Sequence, residues 1–324
     1  MHTGYEKRDR SKVMIGTVTL NTAIDKRYII NRLSVGVVNR VKECTYTAGG
    51  KGINVSRVAR LTGEGVMATG FVGGYAGDYI IQEIKRRGIL PFFVRTKGES
   101  RSCINLFDCE NHRQTELLEP GEFVTEEEQG QLLDNVDVMA SKCEVIAVSG
   151  SAPRGISPEL YSKIIGIAKT RGRKVLLDTS GEMLKMSLQS GPYMIKPNID
   201  EMKVLSGTDL ETEEQVIFEA DCLRKMGVGI VVVSLGSNGS VIVDDDGIYR
   251  VRVPKVSSVN TVGCGDAMMA GFAVGIARGY ETENLMRYAS AVSVANALQE
   301  QTGFIDLNDV NKIIPEITIE FIGK

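Results

Sequence analysis

Short apolar runs alternate with helical patterns over the second half of the chain. The runs are rich in valine and isoleucine and end in small or polar residues, as strands buried on both faces of a sheet do. Between them, residues 158–172 and 213–227 carry apolar side chains at helical spacing. This alternation predicts an α/β fold with a doubly wound, mostly parallel sheet, whose functional residues gather at the carboxyl ends of the strands. The predicted strands are 144–150, 174–180, 193–198 and 229–236.

The first third of the chain has a different pattern. Residues 35–49 and 101–121 read as extended, hairpin-like segments, the second with a polar turn at CENHRQ. They predict a small β-sheet that covers the main domain as a lid, with lid segments at about 22–48 and 96–121, because lids of this kind exclude water from a site. A small sheet is marginal alone, so its outer surface is expected to pair with a second subunit. Residues 1–12 are polar and predict a mobile leader before a domain at 13–324.

Composition narrows the class of protein. The chain has 324 residues, 43% hydrophobic and 24% charged, with a net charge of −3, which gives no reason to expect nucleic acid or an anionic membrane as a partner. Its six cysteines form no C-x-x-C pair, which favours reduced thiols in a cytoplasm. With only two histidines, a Ser-His-Asp triad or a histidine metal cluster is nearly excluded. Any chemistry must therefore come from carboxylates, lysines, arginines and backbone amides.

One aspartate stands out in the stretch NTVGCGDAMMAGFAVGIARG at 260–279. Asp266 follows Gly263, Cys264 and Gly265 and precedes a helix of small residues. Glycines free the backbone to expose its N–H groups, and a helix N-terminus adds further unpaired donors, so this is a place to hold an anion. By itself, an aspartate before a helix is more commonly an N-cap.

Two more segments offer polar groups near predicted strand ends or helix starts. AGGKGIN puts Gly50, Lys51 and Asn54 just ahead of a helix, as an anion- or sugar-binding loop or as a plain glycine-rich turn. The spacing is not that of a Walker A loop, and no G-x-G-x-x-G supports a nicotinamide enzyme. TLNTAID ends a strand with Asn21 and Asp25, which suit hydroxyl recognition or turn formation.

Three later segments are ambiguous in the same way. IKPNIDEM offers Asn198 and Glu201, whose oxygen atoms suit a hydrated magnesium ion or, alternatively, an N-cap with a first-turn acid. SLGSNG at 234–239 is a hairpin turn or a nucleotide contact. DTSG at 178–181 resembles half of an aspartic-protease signature, which we reject because the dyad needs two such copies.

Taken together, the order of these segments resembles the ribokinase-like carbohydrate kinases of the phosphofructokinase B type over residues 13–310. The N-terminal signature matches at 49–73, and the C-terminal signature at 260–273, where Cys264 replaces the usual smaller residue. Strings such as TLNTAID, GESRSCI, QTELLEPG, VSGSAP and QTGF resemble the hexose-phosphate branch, which contains 1-phosphofructokinases and tagatose-6-phosphate kinases.

The resemblance implies a ribokinase-like sheet with a small lid that also dimerises subunits. It implies ATP-dependent phosphorylation of a ketohexose phosphate to the bisphosphate, with Mg²⁺ and often a monovalent cation such as K⁺. Asp266 would be the general base, and the N–H groups of Gly263, Cys264 and Gly265 would stabilise the transferring phosphoryl group. Two alternatives stay open: a kinase of an unphosphorylated sugar or nucleoside, and a non-catalytic sugar-phosphate sensor, although an intact Asp266 argues against the sensor.

The remaining roles are also implied by the resemblance. Asn198 and Glu201 would hold the magnesium ion through water. The residues expected to bind the phosphosugar are Asn21, Asp25, Gly50, Lys51, Asn54, Arg101 and Ser151. The residues expected to frame the nucleotide are Lys196, Asn198, Ser234, Gly236, Gly239, Thr261 and Asn296.

Overall fold

The computed structural model describes residues 14–324, so the predicted leader at 1–12 lies outside the described residues. The strands are β1 Met14–Thr19, β2 Ala23–Ile30, β3 Val41–Gly49, β4 Gly65–Gly73, β5 Leu90–Pro91, β6 Val94–Thr96, β7 Arg101–Asp108, β8 Arg113–Leu118, β9 Val145–Ser149, β10 Lys174–Asp178, β11 Met194–Ile195, β12 Ile230–Ser234, β13 Ser240–Val243, β14 Ile248–Arg252 and β15 Thr318–Gly323. The helices are α1 Lys51–Leu61, α2 Gly74–Arg86, α3 Glu126–Lys142, α4 Pro158–Thr170, α5 Gly181–Ser187, α6 Ile199–Ser206, α7 Glu213–Lys225, α8 Cys264–Arg278, α9 Thr282–Ala297 and α10 Leu307–Ile313.

Eleven strands form a large sheet that is parallel over most of its width. Its order is β15-β14-β13-β12-β11-β10-β9-β1-β4-β5, with β6 also paired to β4, and the strands from β12 to β5 are parallel. Strands β13, β14 and β15 continue it antiparallel at one edge. The four strands predicted from the sequence are confirmed as β9 to β12, each shorter than predicted.

The valine- and isoleucine-rich strands bury side chains on both faces of the large sheet. In β12, Ile230 and Val232 pack in one buried cluster, whereas Val231 and Val233 pack in another. The first cluster includes residues of α1, α8 and α9, and the second includes residues of α3, α4 and α7. Because a strand alternates its faces, a continuous apolar run is what a sheet covered by helices on both sides requires. In the described part of the chain, no helix is both long and apolar enough to cross a bilayer.

Four further strands form a separate small sheet in the order β3-β2-β7-β8. Strands β7 and β8 form the predicted hairpin, with its turn at 109–112. Strands β2 and β7 are parallel, although they lie far apart in the sequence. The prediction of an extended segment at 35–49 is wrong for residues 35–40, which form turn and irregular structure before β3 begins. Strand β8 is exposed along its whole length, so this sheet has no covered core of its own.

Candidate active site

A cavity of about 670 Å³ lies where the carboxyl ends of the parallel strands meet one face of the small sheet. It opens beside β1. Strands β4 and β5 extend the sheet on one side of β1, and β9 to β12 extend it on the other side, as expected for a doubly wound fold. The residues predicted from the sequence that line it are Asn21, Asp25, Gly50, Lys51, Asn54, Arg101, Ser151, Lys196, Asn198, Glu201, Ser234, Gly263, Gly265 and Asp266. The predicted residues outside its lining are Cys264, Gly236, Gly239, Thr261 and Asn296.

The N-terminus of α8 borders this cavity, and Gly263 is its N-cap. Gly263 has φ +85°, and a Cβ there would lie 2.8 Å from Thr302 Cγ2, so a side chain would be both strained and crowded. Asp266 is the third residue of α8, and no side chain caps this helix. The interpretation of Asp266 as an N-cap is therefore wrong, and its carboxylate is available for another role.

The Cys264 N–H group donates within its own loop, to the Thr261 carbonyl at 3.3 Å. Its thiol receives a weak contact from Asn296 Nδ2 at 3.6 Å. The prediction that three N–H groups of this turn are available to an anion is therefore corrected for Cys264, whose N–H group is already used. Gly263 and Gly265 line the cavity.

Asp266 is buried, with 6% of its surface exposed, and Asn54 Nδ2 donates a hydrogen bond of 2.8 Å to its Oδ2 atom. Burial, followed by the charge of Asp178, raises the pKa of Asp266 to about 7. The charges of Lys51 and Lys196 and the bond from Asn54 oppose this increase. A carboxylate that exchanges a proton near neutral pH can act as a general base.

Asp178 lies at the centre of a charged cluster that sequence reasoning missed. Lys51 Nζ lies 3.4 Å from its Oδ1 atom, and Lys196 Nζ lies 3.4 Å from its Oδ2 atom. Burial alone would raise the pKa of Asp178, but the charges of Lys196 and Lys51 outweigh it and lower this pKa. The charge of Asp178 in turn raises the pKa of Lys51. The available signal was the aspartate at the carboxyl end of the buried strand KVLLD, where the fold rule places functional residues.

Asn198 and Glu201 form a capping box at the start of α6. Asn198 Oδ1 accepts from the Glu201 N–H at 2.8 Å, and Glu201 Oε2 accepts from the Asn198 N–H at 2.9 Å. The N-cap interpretation is confirmed, yet both residues also line the cavity. Within residues 14–324, no three His, Cys, Asp or Glu side chains group into a metal cluster. One carboxylate oxygen of Glu201 stays outside the box, which fits an ion that keeps most of its water.

Asn21, Asp25 and Arg101 form the wall between the two sheets. Asn21 Nδ2 donates to the Pro120 carbonyl at 3.1 Å and to Ser151 Oγ at 3.4 Å. Burial, partly offset by Arg57 and Arg101, raises the pKa of Asp25 to about 6. The structure differs from the sequence prediction here, because Asp25 lies inside β2 and not at the end of β1.

Arg101, at the start of β7, has its guanidinium against backbone carbonyl groups. Nη1 donates to Glu119 at 2.8 Å and Nη2 to Asn21 at 3.4 Å, while Nε has no partner. The Arg101 guanidinium therefore borders the cavity but already holds two loops together.

Lys51 and Asn54 lie within the first turns of α1, and not ahead of the helix as predicted.

The residues predicted to frame the nucleotide divide into two groups. Lys196, Asn198 and Ser234 line the cavity, and Asn198 and Ser234 pair as an isolated bridge. Gly236 and Gly239 belong to the turn between β12 and β13, which confirms the hairpin interpretation. Thr261 is exposed beside the cavity loop.

Asn296 requires a correction, because it is fully buried behind the α8 turn. Its Nδ2 donates to the Val262 carbonyl at 3.1 Å, and its Oδ1 accepts from the Gly303 N–H at 3.0 Å. Both polar groups are thus used to hold two loops, so Asn296 supports the site from behind and does not line it.

Sequence reasoning also missed the loop at 300–302, which lines the cavity with Asn260. Arg27 of the small sheet donates through Nη1 to the Glu300 carbonyl at 3.1 Å. Asn260 Nδ2 donates to the same carbonyl at 3.1 Å. The loop therefore connects the small sheet with the turn before α8.

A helix N-terminus beside a buried carboxylate, faced by two lysines at the carboxyl edge of a parallel sheet, is the arrangement of a phosphoryl-transfer site. The pfkB family carbohydrate kinase profile matches residues 10–308. The chain belongs to the pfkB family of carbohydrate kinases, and it is a phosphotransferase that acts on an alcohol acceptor.

Solved structures resemble the chain over nearly its whole length. A Staphylococcus aureus protein provisionally assigned as a phosphofructokinase is 32% identical with a TM-score of 0.82, covering 95% of this chain and 99% of its own. Phosphofructokinase-2 from Escherichia coli, solved with potassium, is 28% identical with a TM-score of 0.89, at 94% and 99% coverage. A Thermotoga maritima protein provisionally assigned as a 1-phosphofructokinase is 26% identical with a TM-score of 0.87, at 95% and 99% coverage.

Proposed function

We propose that the protein transfers a phosphoryl group from ATP to a hydroxyl of a ketohexose phosphate, giving the bisphosphate. The observation that carries this proposal is Asp266, a buried carboxylate with a pKa near neutrality at the N-terminal turn of α8. The similar solved structures support the phosphosugar, because one of them is phosphofructokinase-2 in complex with fructose-6-phosphate. Tagatose 6-phosphate and fructose 1-phosphate are the two acceptors that the sequence resemblance favours.

Asp266 acts as the general base. It accepts the proton of the acceptor hydroxyl as that oxygen attacks phosphorus, so the deprotonated form is the active one. Asn54 donates to one carboxylate oxygen and leaves the other for the hydroxyl. A base near neutrality combines a large deprotonated fraction with useful proton affinity.

Positive groups around Asp266 stabilise the phosphoryl group in transit. The N–H groups of Gly263 and Gly265 and the ammonium groups of Lys51 and Lys196 converge on the cavity. Donors that are already fixed in place cost no reorganisation when charge develops. Their position next to the base follows from the reaction, since base and charge-stabilising donors must meet at one phosphorus atom.

Magnesium would be held through water by Glu201 and Asn198, which fit the hydrated ion as described above. When bound, the ion neutralises charge on the ATP phosphates. The nucleotide lies along Lys196, Asn198 and Ser234, at the carboxyl ends of β11 and β12. From the resemblance to ribokinase-like carbohydrate kinases, we also propose that the enzyme uses a monovalent cation such as K⁺.

The phosphosugar lies under the small sheet, which acts as a lid on the kinase domain predicted at 13–324. Asn21, Asp25 and Ser151 supply hydrogen-bonding groups for sugar hydroxyls, and Arg101 and Lys51 supply positive charge for the phosphate that does not react. The exposed strands of the lid pair with those of a second subunit, so the working form is a homodimer.

The test is a coupled ADP-release screen over tagatose 6-phosphate, fructose 1-phosphate, fructose 6-phosphate and the corresponding free sugars. We expect kcat/KM for one phosphorylated ketohexose to exceed that for its free sugar by at least about tenfold, because charge-assisted hydrogen bonds to the phosphate are lost with the free sugar. Equal turnover of free and phosphorylated sugars would favour a plain sugar kinase. Tight phosphosugar binding without ADP release would favour a sensor.

A further inference from the structure

Arg57 is a buried arginine behind the active site that does not line the cavity. It lies in the middle of α1 and is 2% exposed. Its Nη1 atom donates to Asn54 Oδ1 at 3.0 Å and to the Thr302 carbonyl at 2.9 Å, and its Nη2 atom donates to the Ala48 carbonyl. One guanidinium thus joins the base of the small sheet, the 300–302 loop and a residue of the active site.

The bond to Asn54 matters because the two ends of an amide are opposite in character. Asn54 Oδ1 accepts from Arg57, and Asn54 Nδ2 donates to Asp266. A flipped amide would set its NH₂ group against the guanidinium and its oxygen against the carboxylate. Arg57 therefore determines which end of Asn54 faces the base.

The surrounding structure is shaped to keep this cation in place. Gly303 has φ +71°, and a Cβ on it would lie 2.8 Å from Arg57 Nη1. The ring of Phe304 lies 5.1 Å from the guanidinium of Arg57 and 4.7 Å from that of Arg87. Burial, followed by the nearby charge of Arg87, lowers the pKa of Arg57 to about 10. A buried guanidinium is costly unless it is hydrogen-bonded, and the bonds to Asn54, Thr302 and Ala48 offset that cost here.

We propose that Arg57 is a positioning residue for phosphoryl transfer, which acts through Asn54 to hold the Asp266 carboxylate in its reactive orientation. The proposal rests on the proposed function, since it takes Asp266 to be the base. Arg57 touches no reacting atom, so its effect reaches the reaction only through Asn54 and the backbone that it holds.

Loss of Arg57 should shift the pH profile of kcat/KM in a predictable direction. The charged groups that act on Asp266 are Asp178, at the end of β10, and three cations: Lys51, Lys196 and Arg57 itself. Removing Arg57 takes away one favourable charge and frees Asn54 to lose its donor contact. Both changes destabilise the deprotonated form of Asp266 and raise its pKa, so the acid limb of kcat/KM moves to higher pH.

The experiment compares Arg57→Met with the matched control Arg278→Met in the full-length enzyme. Arg278 is a partly buried arginine at the C-terminal end of α8. It contacts Glu64 and the Thr62 carbonyl, which lie just after the C-terminal end of α1. We expect kcat to fall about 10- to 100-fold in Arg57→Met, with KM for both substrates changed less than about threefold. Its acid limb should move up by about half a pH unit. Arg278→Met should lose thermal stability to a similar degree without moving the acid limb.

A double-mutant cycle with Asn54→Ala tests the route of the effect. In the Asn54→Ala background, Arg57→Met should shift the acid limb by less than about half of its shift in the wild type, because the amide through which it acts is gone. If Arg57→Met does not fold, Arg57→Lys takes its place, since lysine keeps the charge but has no guanidinium fork. It should lower kcat by about tenfold with a smaller shift of the acid limb.

Three results would overturn the proposal: an unmoved acid limb in both Arg57 variants, equal shifts in Arg57→Met and Arg278→Met, or full additivity with Asn54→Ala. Failure of the proposed function itself looks different, because Asp266→Asn would then keep near-normal kcat.

Discussion

The large and small sheets obey opposite rules of burial. Strands β9 and β12 are apolar runs with almost every side chain buried, whereas all of β8 and the first six residues of β3 are exposed. The large sheet is covered by helices on both faces, and Asp178 and Lys196 lie at the carboxyl ends of its strands, close to Asp266. The small sheet lacks such a core, so its stability depends on what it contacts: the cavity, its substrate and, in our proposal, a second copy.

The proposed catalytic and acceptor-binding roles fall in different regions of the molecule. In the proposal, the groups that touch the transferring phosphoryl group stand at the carboxyl ends of the large sheet and on α1 and α8, and most of the groups that choose the acceptor stand on or beside the small sheet. Changes in the first region should therefore reduce kcat for every acceptor. Changes in the second should alter acceptor preference or assembly and leave ATP binding nearly constant.

The largest effect is expected for Asp266→Asn. Asparagine keeps the shape of the side chain and removes the proton acceptor, so kcat should fall by about 10²- to 10⁴-fold with the fold retained, as measured by steady-state assay and circular dichroism. Asp244→Asn is the matched control, because burial also raises the pKa of Asp244, which lies outside the active-site cavity after β13. A kcat near normal in Asp266→Asn would remove Asp266 as the base.

Arg101→Ala tests the small sheet's role in acceptor choice. Removing its charge should lower kcat/KM for the phosphorylated ketohexose by about 10- to 150-fold, with KM for ATP little changed. Turnover of the free sugar should hardly respond. Arg113→Ala, on exposed β8 and outside the cavity, should leave both acceptors unaffected. Equal losses for the two acceptors would mean that Arg101 serves only to hold the Glu119 and Asn21 carbonyls.

Leu117→Lys tests the small sheet as a subunit interface. Leu117 is 54% exposed on β8, and losing its burial in a dimer should raise the dissociation constant of the dimer by about tenfold or more, measured by light scattering over a concentration series. Val204→Lys is the control, at a 68% exposed valine on α6 beside the large sheet, and it should not change assembly. A wild-type protein that is monomeric and fully active at micromolar concentration would refute the interface.

The large sheet could be predicted from sequence because its signal is local. Each buried strand is a continuous apolar run, and Asn198 was found at the end of one of them, whereas Asp266 was found from the glycine turn before a helix. The small sheet was predicted as a lid built from two extended, hairpin-like segments, but the pairing between its strands was not. Its central pairing joins β2 to β7, which are separated by residues 31–100, and nothing in either strand alone specifies that partner.

Side-chain roles were predictable only where the backbone fixes them. The DTSG motif gives no role to Asp178. Its importance comes from Lys51 and Lys196, which reach it from other segments of the chain, so the local sequence does not reveal it. Asn296 was assigned to the nucleotide, but it is buried by the 303 loop that folds over it. Arg57 carries no functional signal in the sequence. Only the packing of α1, in which residues 52–59 are all buried, shows that Arg57 is enclosed.

The most direct test of the central claim is the pH dependence of kcat/KM in the wild type and in Asp178→Asn. Burial and then the charge of Asp178 raise the pKa of Asp266 to about 7, and the base is active when deprotonated, so kcat/KM should rise with pH through about 7. Asp178→Asn removes the repelling charge and unmasks Lys51 and Lys196, which both favour the deprotonated form. The acid limb should then move to lower pH by about one unit. An acid limb that stays in place or moves to higher pH would contradict Asp266 as the base.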